Sequence, residues 1–374
     1  MTWARRLARA MVSALFASLL LACASDKPKP IPLEPLKPQI AGKVVWNKRL
    51  DSVGFSLAVA VNDGVFTVAS NDGSVLAIQA DDGRELWRAN AGARLAAGVG
   101  SDGRFAAVVT REGELVVFEA GKLLWRKALG VRVATAPLVA GERVFVLGVD
   151  RAVQAYDVLD GHKLWSLQKA GDPLTLSQPG VLAAFKDTLL VGQGPRLVGL
   201  DPLRGTVRWD VAAASPRGTN EVERLADLVG PAHRVIDSVC ARAFQAAVAC
   251  VNADRGTLVW TRNVGGIQGL GGDEQYVFGA DASDRITAWK RISGEAAWTS
   301  EKFLNHGLGT PLAVGSTLVF GDAQGWVHWL SRDKGDALLR LPTDGSAIVS
   351  APVLSGLTML VVTRNGGLFA FRPE

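Results

Sequence analysis

VLAIQADDGRELW, residues 75–87, is a short apolar run, a polar turn signal at Asp82-Gly83, and a second run that closes on Trp87. The same order recurs in VQAYDVLDGHKLW (153–165), LVGLDPLRGTVRW (197–209) and AVACVNADRGTLVW (247–260), with weaker copies at Leu115–Trp125 and Ile286–Trp298. The closing tryptophans fall at 46, 87, 125, 165, 209, 260 and 298, and counting onward puts Arg340 in the next slot. The steps are 41, 38, 40, 44, 51, 38 and 42 residues. A period near 40, filled with strands and turns, predicts an all-β propeller with four strands per blade. Hairpin signals at Asn62-Asp63-Gly64, Asn71-Asp72-Gly73, Asp102-Gly103 and Asn365-Gly366-Gly367 agree.

Strand sets at 60–87, 98–125, 138–165, 181–209, 233–260, 274–298 and 313–340 make seven blades. The set at 353–372 lacks its last strand, and Val44-Val45-Trp46 at the other end of the chain can supply it. The expectation is an eight-bladed ring over residues 41–374, closed by its first and last strands, which also removes exposed edges. Each tryptophan then wedges between neighbouring blades. Trp289, Trp326 and Trp329 lie off the register and read as ordinary packing or surface aromatics.

The start of the chain reads as an address. Arg5, Arg6 and Arg9 precede an apolar stretch, Ala10–Leu21, that is too short to span a bilayer and suits a signal peptide. Leu20-Leu21-Ala22-Cys23 is similar to a bacterial lipobox, so residues 1–22 are expected to be removed and Cys23 to carry lipid. Two or three acyl chains would anchor it durably. Ala24, rather than Asp, favours the outer membrane, facing the periplasm. Pro28, Pro30, Pro32, Pro35 and Pro38 make residues 23–40 a semi-rigid tether, with a reach of about 50 Å. Without the leader the formal charge falls from +5 to about +2, and no long basic run indicates nucleic acid.

Catalytic signals are thin. His162, His233, His306 and His328 lack the spacing of a zinc site, and His162 reads as a solvated turn residue. Gly265-Gly266 and Gly269–Gly272 lack the Lys-Ser/Thr or the helix that completes a phosphate loop, and no nucleophile elbow occurs. No catalytic residue, metal or cofactor is expected. Cys240 and Cys250 lie on strands joined near Ala243–Ala246, in an oxidising compartment. A two-residue turn would set Cys240 opposite Ala249, whereas a three-residue turn centred on Gln245 would bring the cysteines together; both remain open.

A Gly turn before a closing Trp resembles the blades of quinoprotein alcohol dehydrogenases, which are eight-bladed and bind pyrroloquinoline quinone and calcium. Adjacent cysteines of that family are missing here, which leaves a periplasmic quinoprotein or ligand-binding lipoprotein as the alternative reading. Lipobox, Pro-rich segment and Trp-ending blades together resemble the BamB family of outer membrane protein assembly factors. More specific pieces are Gly218–Asp227 (GTNEVERLAD), His306–Pro311 (HGLGTP) and Gly321–Trp329 (GDAQGWVHW). That resemblance implies a non-catalytic scaffold in the machine that inserts β-barrel proteins, with the insertase BamA bound through its periplasmic POTRA domains. Unfolded outer membrane proteins are a further partner class. The family's two contact loops fall on Leu174, Leu176 and Ser177, and on Glu223, Arg224, Leu225 and Asp227. Ser177 stands where the family has Arg, and Val229 replaces a second acid. From the residues alone, Leu174 and Leu176 read rather as inward-facing strand positions that pack the blade; it is the resemblance that makes at least one of them a contact residue. Both loops lie within the long 44- and 51-residue steps, where the repeat is interrupted.

Overall fold

In the computed structural model, residues 28–168, 175–215, 219–220 and 224–374 are described. Within the quoted repeat, Ser74–Gln79 forms a third strand and Glu85–Asn90 the fourth, joined by a turn with Gly83 at φ +72°. Asp82 Oδ1 accepts the Arg84 amide at 2.8 Å, the local bond that favours Asp in such turns. Register slips between Ala77 and Ile78, so Leu86 has no partner and Trp87 lies opposite Ala77. This bulge recurs in all eight third-to-fourth strand pairs. It re-aims the next residue along the strand.

That next residue is almost always tryptophan, and it docks on the neighbouring blade. A Cβ on Gly83 would stand 2.7 Å from the Trp46 indole; the turn glycines at 121, 161, 205, 256, 294 and 335 meet the tryptophan of the preceding blade in the same way. The turn therefore needs glycine both for its positive φ and for room. Trp46, Trp125, Trp165, Trp260 and Trp298 donate Nε1–H to the carbonyl three residues before that glycine, at 2.7–3.0 Å.

The eighth slot is a correction to the sequence count. Bulge residue Leu338 and turn glycine Gly335 put Leu339 in that slot, not Arg340. Its neighbour, blade eight, has no third-to-fourth turn, because those strands come from opposite ends of the chain. Gly42–Arg49 pairs antiparallel with Gly367–Pro373, and Leu339 packs beside Gly42. With no turn for an indole to cap, a smaller apolar side chain fills the space.

Eight four-stranded sheets form the ring. Middle strands such as Phe105–Val109 and Leu115–Phe118 are buried on both sides, because each sheet is sandwiched between two others. Among the described residues the core divides into eight clusters, each shared by two adjacent blades. Phe278, Leu318 and Phe320 join blades six and seven, for example, and Val68, Leu76, Leu360 and Leu368 join blades one and eight. Trp289 belongs to the core between blades five and six, and Trp329 packs, half-buried, against the core between blades seven and eight.

Two further departures matter. The inner strand of blade five starts at Leu228, five residues earlier than expected. The proline-rich segment does not project freely: the Ile31 amide bonds to Leu304 O at 3.2 Å and the Gln39 amide to Leu338 O at 2.8 Å. Between the prolines, Ile31, Leu33, Leu36 and Ile40 are half-buried against the ring. Cys23 itself lies outside the described residues. Between the second and third strands of blade five the turn is the three-residue kind, with Gln245 at φ +50°. Cys240 faces Cys250 and the two sulfur atoms are joined.

Candidate partner-docking site

Strand connectivity divides the loops between two faces. The first-to-second turns of all eight blades and the third-to-fourth turns of blades one to seven lie on one face. The second-to-third turns and the blade-to-blade connections lie on the other. All of the sequence-predicted contact residues within the described part belong to that second face.

Asp227 is its organising group. It sits just before the inner strand of blade five, and its carboxylate is shared between two other elements. Oδ1 accepts from the Arg151 guanidinium at 2.7 Å, and Oδ2 accepts from the Leu176 amide at 2.9 Å. The Arg151 and Asp227 side chains are only 18% and 15% exposed, so solvent screens this pair weakly. Two main-chain bonds, Leu228 N to Gly194 O and Gly230 N to Pro179 O, both at 2.9 Å, and one from Gly180 N to the Thr135 hydroxyl at 2.9 Å complete the junction. Connections from blades three, four and five are thereby tied into one surface.

Around that junction Leu176 and Leu225 are half-buried, while Ser177 and Arg224 are exposed. Ala226 and Val229 are buried, and Val229 bridges Gly180 in the backbone ladder, a position that suits an apolar residue. Leu174 and Glu223 lie outside the described residues. Arg224 N bonds to Asn220 O at 3.2 Å.

Arg151 was missed in the sequence, although a signal was available. Six blades share a five-residue loop between second and third strands, closed by bonds such as Ser70 N to Ser74 O, Thr110 N to Glu114 O and Gly148 N to Ala152 O. Its fourth residue takes positive φ and is glycine in four blades: 73, 113, 325 and 366. In blade three it is Arg151 (φ +65°) and in blade six Asp284 (φ +66°). A non-glycine residue there costs about 1–2 kcal/mol, so a partner must hold it. Asp284 also has one: it accepts the amides of Gly307 and Leu308 at 2.7 and 2.9 Å. Burial raises its carboxyl above the ordinary carboxylate value, against those two bonds.

The Asp284 loop leads to a second cluster, where the HGLGTP and GDAQGWVHW segments meet. Asp322 is fully buried; its Oδ1 accepts the Gln324 and Trp326 amides, and its Oδ2 lies 2.9 Å from His328 Nε2 and 3.6 Å from His306 Nδ1. Burial lowers the His328 pKa, with Asp322 opposing. Two histidines that are distant in sequence therefore meet at one carboxylate, His328 bonded to it and His306 Nδ1 placed 3.2 Å from Gln324 Oε1 beside it. His162 is an exposed turn residue 2.7 Å from Asp160. Along the ring axis runs a cavity of about 760 Å³, lined by residues such as Leu57, Val99, Pro137, Val181 and Val349, with Arg364 as a charged contributor.

A family model described as outer membrane protein assembly factor BamB matches residues 39–88 and 71–300. The BamB of Burkholderia pseudomallei is 35% identical over 99% of both chains, and that of Bordetella pertussis is 32% identical over 93% of this chain and 92% of its own. Crystalline BamB from Moraxella catarrhalis superposes with a TM-score of 0.81 at 23% identity, covering 88% of this chain and 99% of its own. Quinohemoprotein alcohol dehydrogenase from Comamonas testosteroni superposes at 0.68 with 16% identity, over 89% of this chain and 76% of its own, a likeness of fold alone. Full-length similarity to curated assembly factors, on an eight-bladed ring that closes through its two ends, shows that the chain belongs to the BamB family of outer membrane protein assembly factors.

Proposed function

We propose that the chain is a scaffold subunit of the β-barrel assembly machinery, lipid-anchored through Cys23 on the periplasmic side of the outer membrane. It docks the insertase BamA through the loops around Leu176 and Arg224–Asp227. One observation carries this reading: a single carboxylate, Asp227, ties together the two long loops that interrupt the repeat. Held this way, Leu176 and Leu225 form a small apolar centre with Ser177 and Arg224 at its rim, the usual anatomy of a docking patch. Asp227 then acts by positioning the loops, because both of its oxygens are engaged within the chain.

Co-purification from detergent-solubilised outer membranes tests the reading. The tagged chain is expected to bring down BamA, and the double variant Leu176→Ala, Leu225→Ala to lose most of it while keeping its thermal transition. Recovery of BamA at the wild-type level by that folded variant would move the interface elsewhere. Mass spectrometry of the mature N-terminal peptide tests the anchor: an acylated Cys23 is expected as the first residue.

A further inference from the structure

The proline-rich segment and the buried His306–Asp322–His328 cluster belong to one device. His306 Nε2 donates to the Ile31 carbonyl at 2.8 Å, and Asn305 Nδ2 donates to Lys29 O at 3.3 Å. Leu33 packs into the cluster between blades six and seven, which contains Phe303, Leu308 and Phe320. Arg340 contacts the Glu34 carbonyl at 3.4 Å, and the Gln39 amide bonds to Leu338 O on the outer strand of blade seven. The segment thus enters on the face of the blade-to-blade loops, at 304–306. It descends along the outer edge of blade seven and reaches the opposite face where strand Gly42–Arg49 begins.

This geometry explains the side chains at its docking point. His306 is only 4% exposed, and Asp284 fixes the loop on which it rides by accepting the next two amides. Asp322 and His328 back it from blade seven. A generic blade connection needs none of these groups, whereas a receptor for an extended strand needs a fixed donor. Ile31, Leu33, Leu36 and Ile40 turn toward the ring, while Lys29, Pro30, Pro32 and Pro38 face solvent.

We infer that residues 29–40 form a docked strap that fixes where on the ring the chain is tethered, namely the rim of blades six and seven, on the face that also carries Asp227. The consequence for the membrane rests on Cys23 carrying the anchor. Eight residue steps separate Cys23 from Ile31, a reach of about 28 Å at full extension instead of the 50 Å of a free tether. That rim is held close to the bilayer, and the face bearing the docking loops is tethered from its own side.

Two measurements on the full-length lipid-anchored protein test this. Amide hydrogen exchange is expected to show Ile31 and Gln39 exchanging about tenfold or more slowly than in an unstructured chain. The double variant Ile31→Ser, Leu33→Ser should remove that protection and leave the ring amides unchanged. Free exchange in the wild type overturns the strap. In vesicles with quencher-bearing headgroups, a fluorophore at position 302, beside the docking point, should be quenched more than one at position 160, on the opposite face. The strap variant should narrow the difference. Equal quenching in a wild type whose Ile31 and Gln39 amides are protected overturns the positioning claim. An N-terminal peptide without acyl mass refutes the Cys23 reading and the membrane consequence with it, while the amide protection still decides the strap.

Discussion

Asp227 shows how one side chain can matter to a partner without touching it. Asp227→Ala removes the half-buried carboxylate that accepts from the Arg151 guanidinium and the Leu176 amide, so it should cost about 2 kcal/mol of stability. It should also lower the affinity for BamA roughly tenfold, through disordered loops; Asp227→Asn keeps one acceptor and should fall between. Titration calorimetry beside thermal unfolding checks both, and unchanged affinity in a folded Asp227→Ala protein removes the positioning role. A second residue-scale expectation concerns pH. Burial, with Arg291 at 2.7 Å, pulls His233 down from 6.5 to about 4. The unfolded chain takes up this proton as pH falls through 6.5, but the folded chain does so only near 4. The stabilisation is therefore complete above pH 6.5 and lost on acidification toward 4, to an extent of about 3 kcal/mol. His233→Gln should flatten the decline of Tm across that window, and parallel Tm curves for the two proteins would refute it. At this scale the sequence was legible where a residue broke the repeat. Arg151 and Asp284 occupy glycine positions, and each marks a junction, yet only alignment of the six loops reveals them.

Elements were the most legible scale, because a bulge, a turn glycine and a tryptophan recur at fixed spacing. Strand order, ring closure and seven docking positions can be read from that spacing. The eighth failed by one residue, since counting from a missing Trp cannot distinguish Leu339 from Arg340, whereas the Gly335 spacing does. The early start of blade five and the docking of the proline-rich tether are not legible for a related reason: both depend on long-range partners that leave no local period. The turn glycines allow a graded test. Gly161 combines φ +71° with the Trp125 ring 2.7 Å from a would-be Cβ, whereas Gly356 has φ +57° and open space around it. Gly356→Ala should cost only the backbone strain, about 1 kcal/mol. Gly161→Ala must also displace the indole and its bond to Val158 O, for a total of about 3–4 kcal/mol. Urea unfolding measures both, and equal losses would show that the tryptophan is not seated against the turn.

Across the whole molecule, stability is distributed among interfaces between neighbours, because among the described residues no cluster joins blades that are not adjacent. Such a ring differs from an open array in one respect: its last interface exists only if the ends meet. Strand Gly42–Arg49 pairs along Gly367–Pro373, brings Trp46 onto Gly83 of blade one, and covers the edge of blade eight. Arg372 reaches across the same seam to Asp81 at 2.7 Å. The strap ends just upstream, at residue 40, so orientation and closure can be separated by two truncations. A chain starting at residue 41 loses the strap contacts but keeps the seam; it should retain a single cooperative transition within a few degrees of the intact protein. A chain starting at residue 50 loses the fourth strand of blade eight and the Trp46 docking together. It leaves the Gly367–Pro373 edge unpaired and should aggregate or melt at least about 10 °C lower, in a broader transition. Calorimetry and size-exclusion chromatography separate the two outcomes. A monomeric, unshifted transition for the shorter chain would mean that the ring does not depend on its seam.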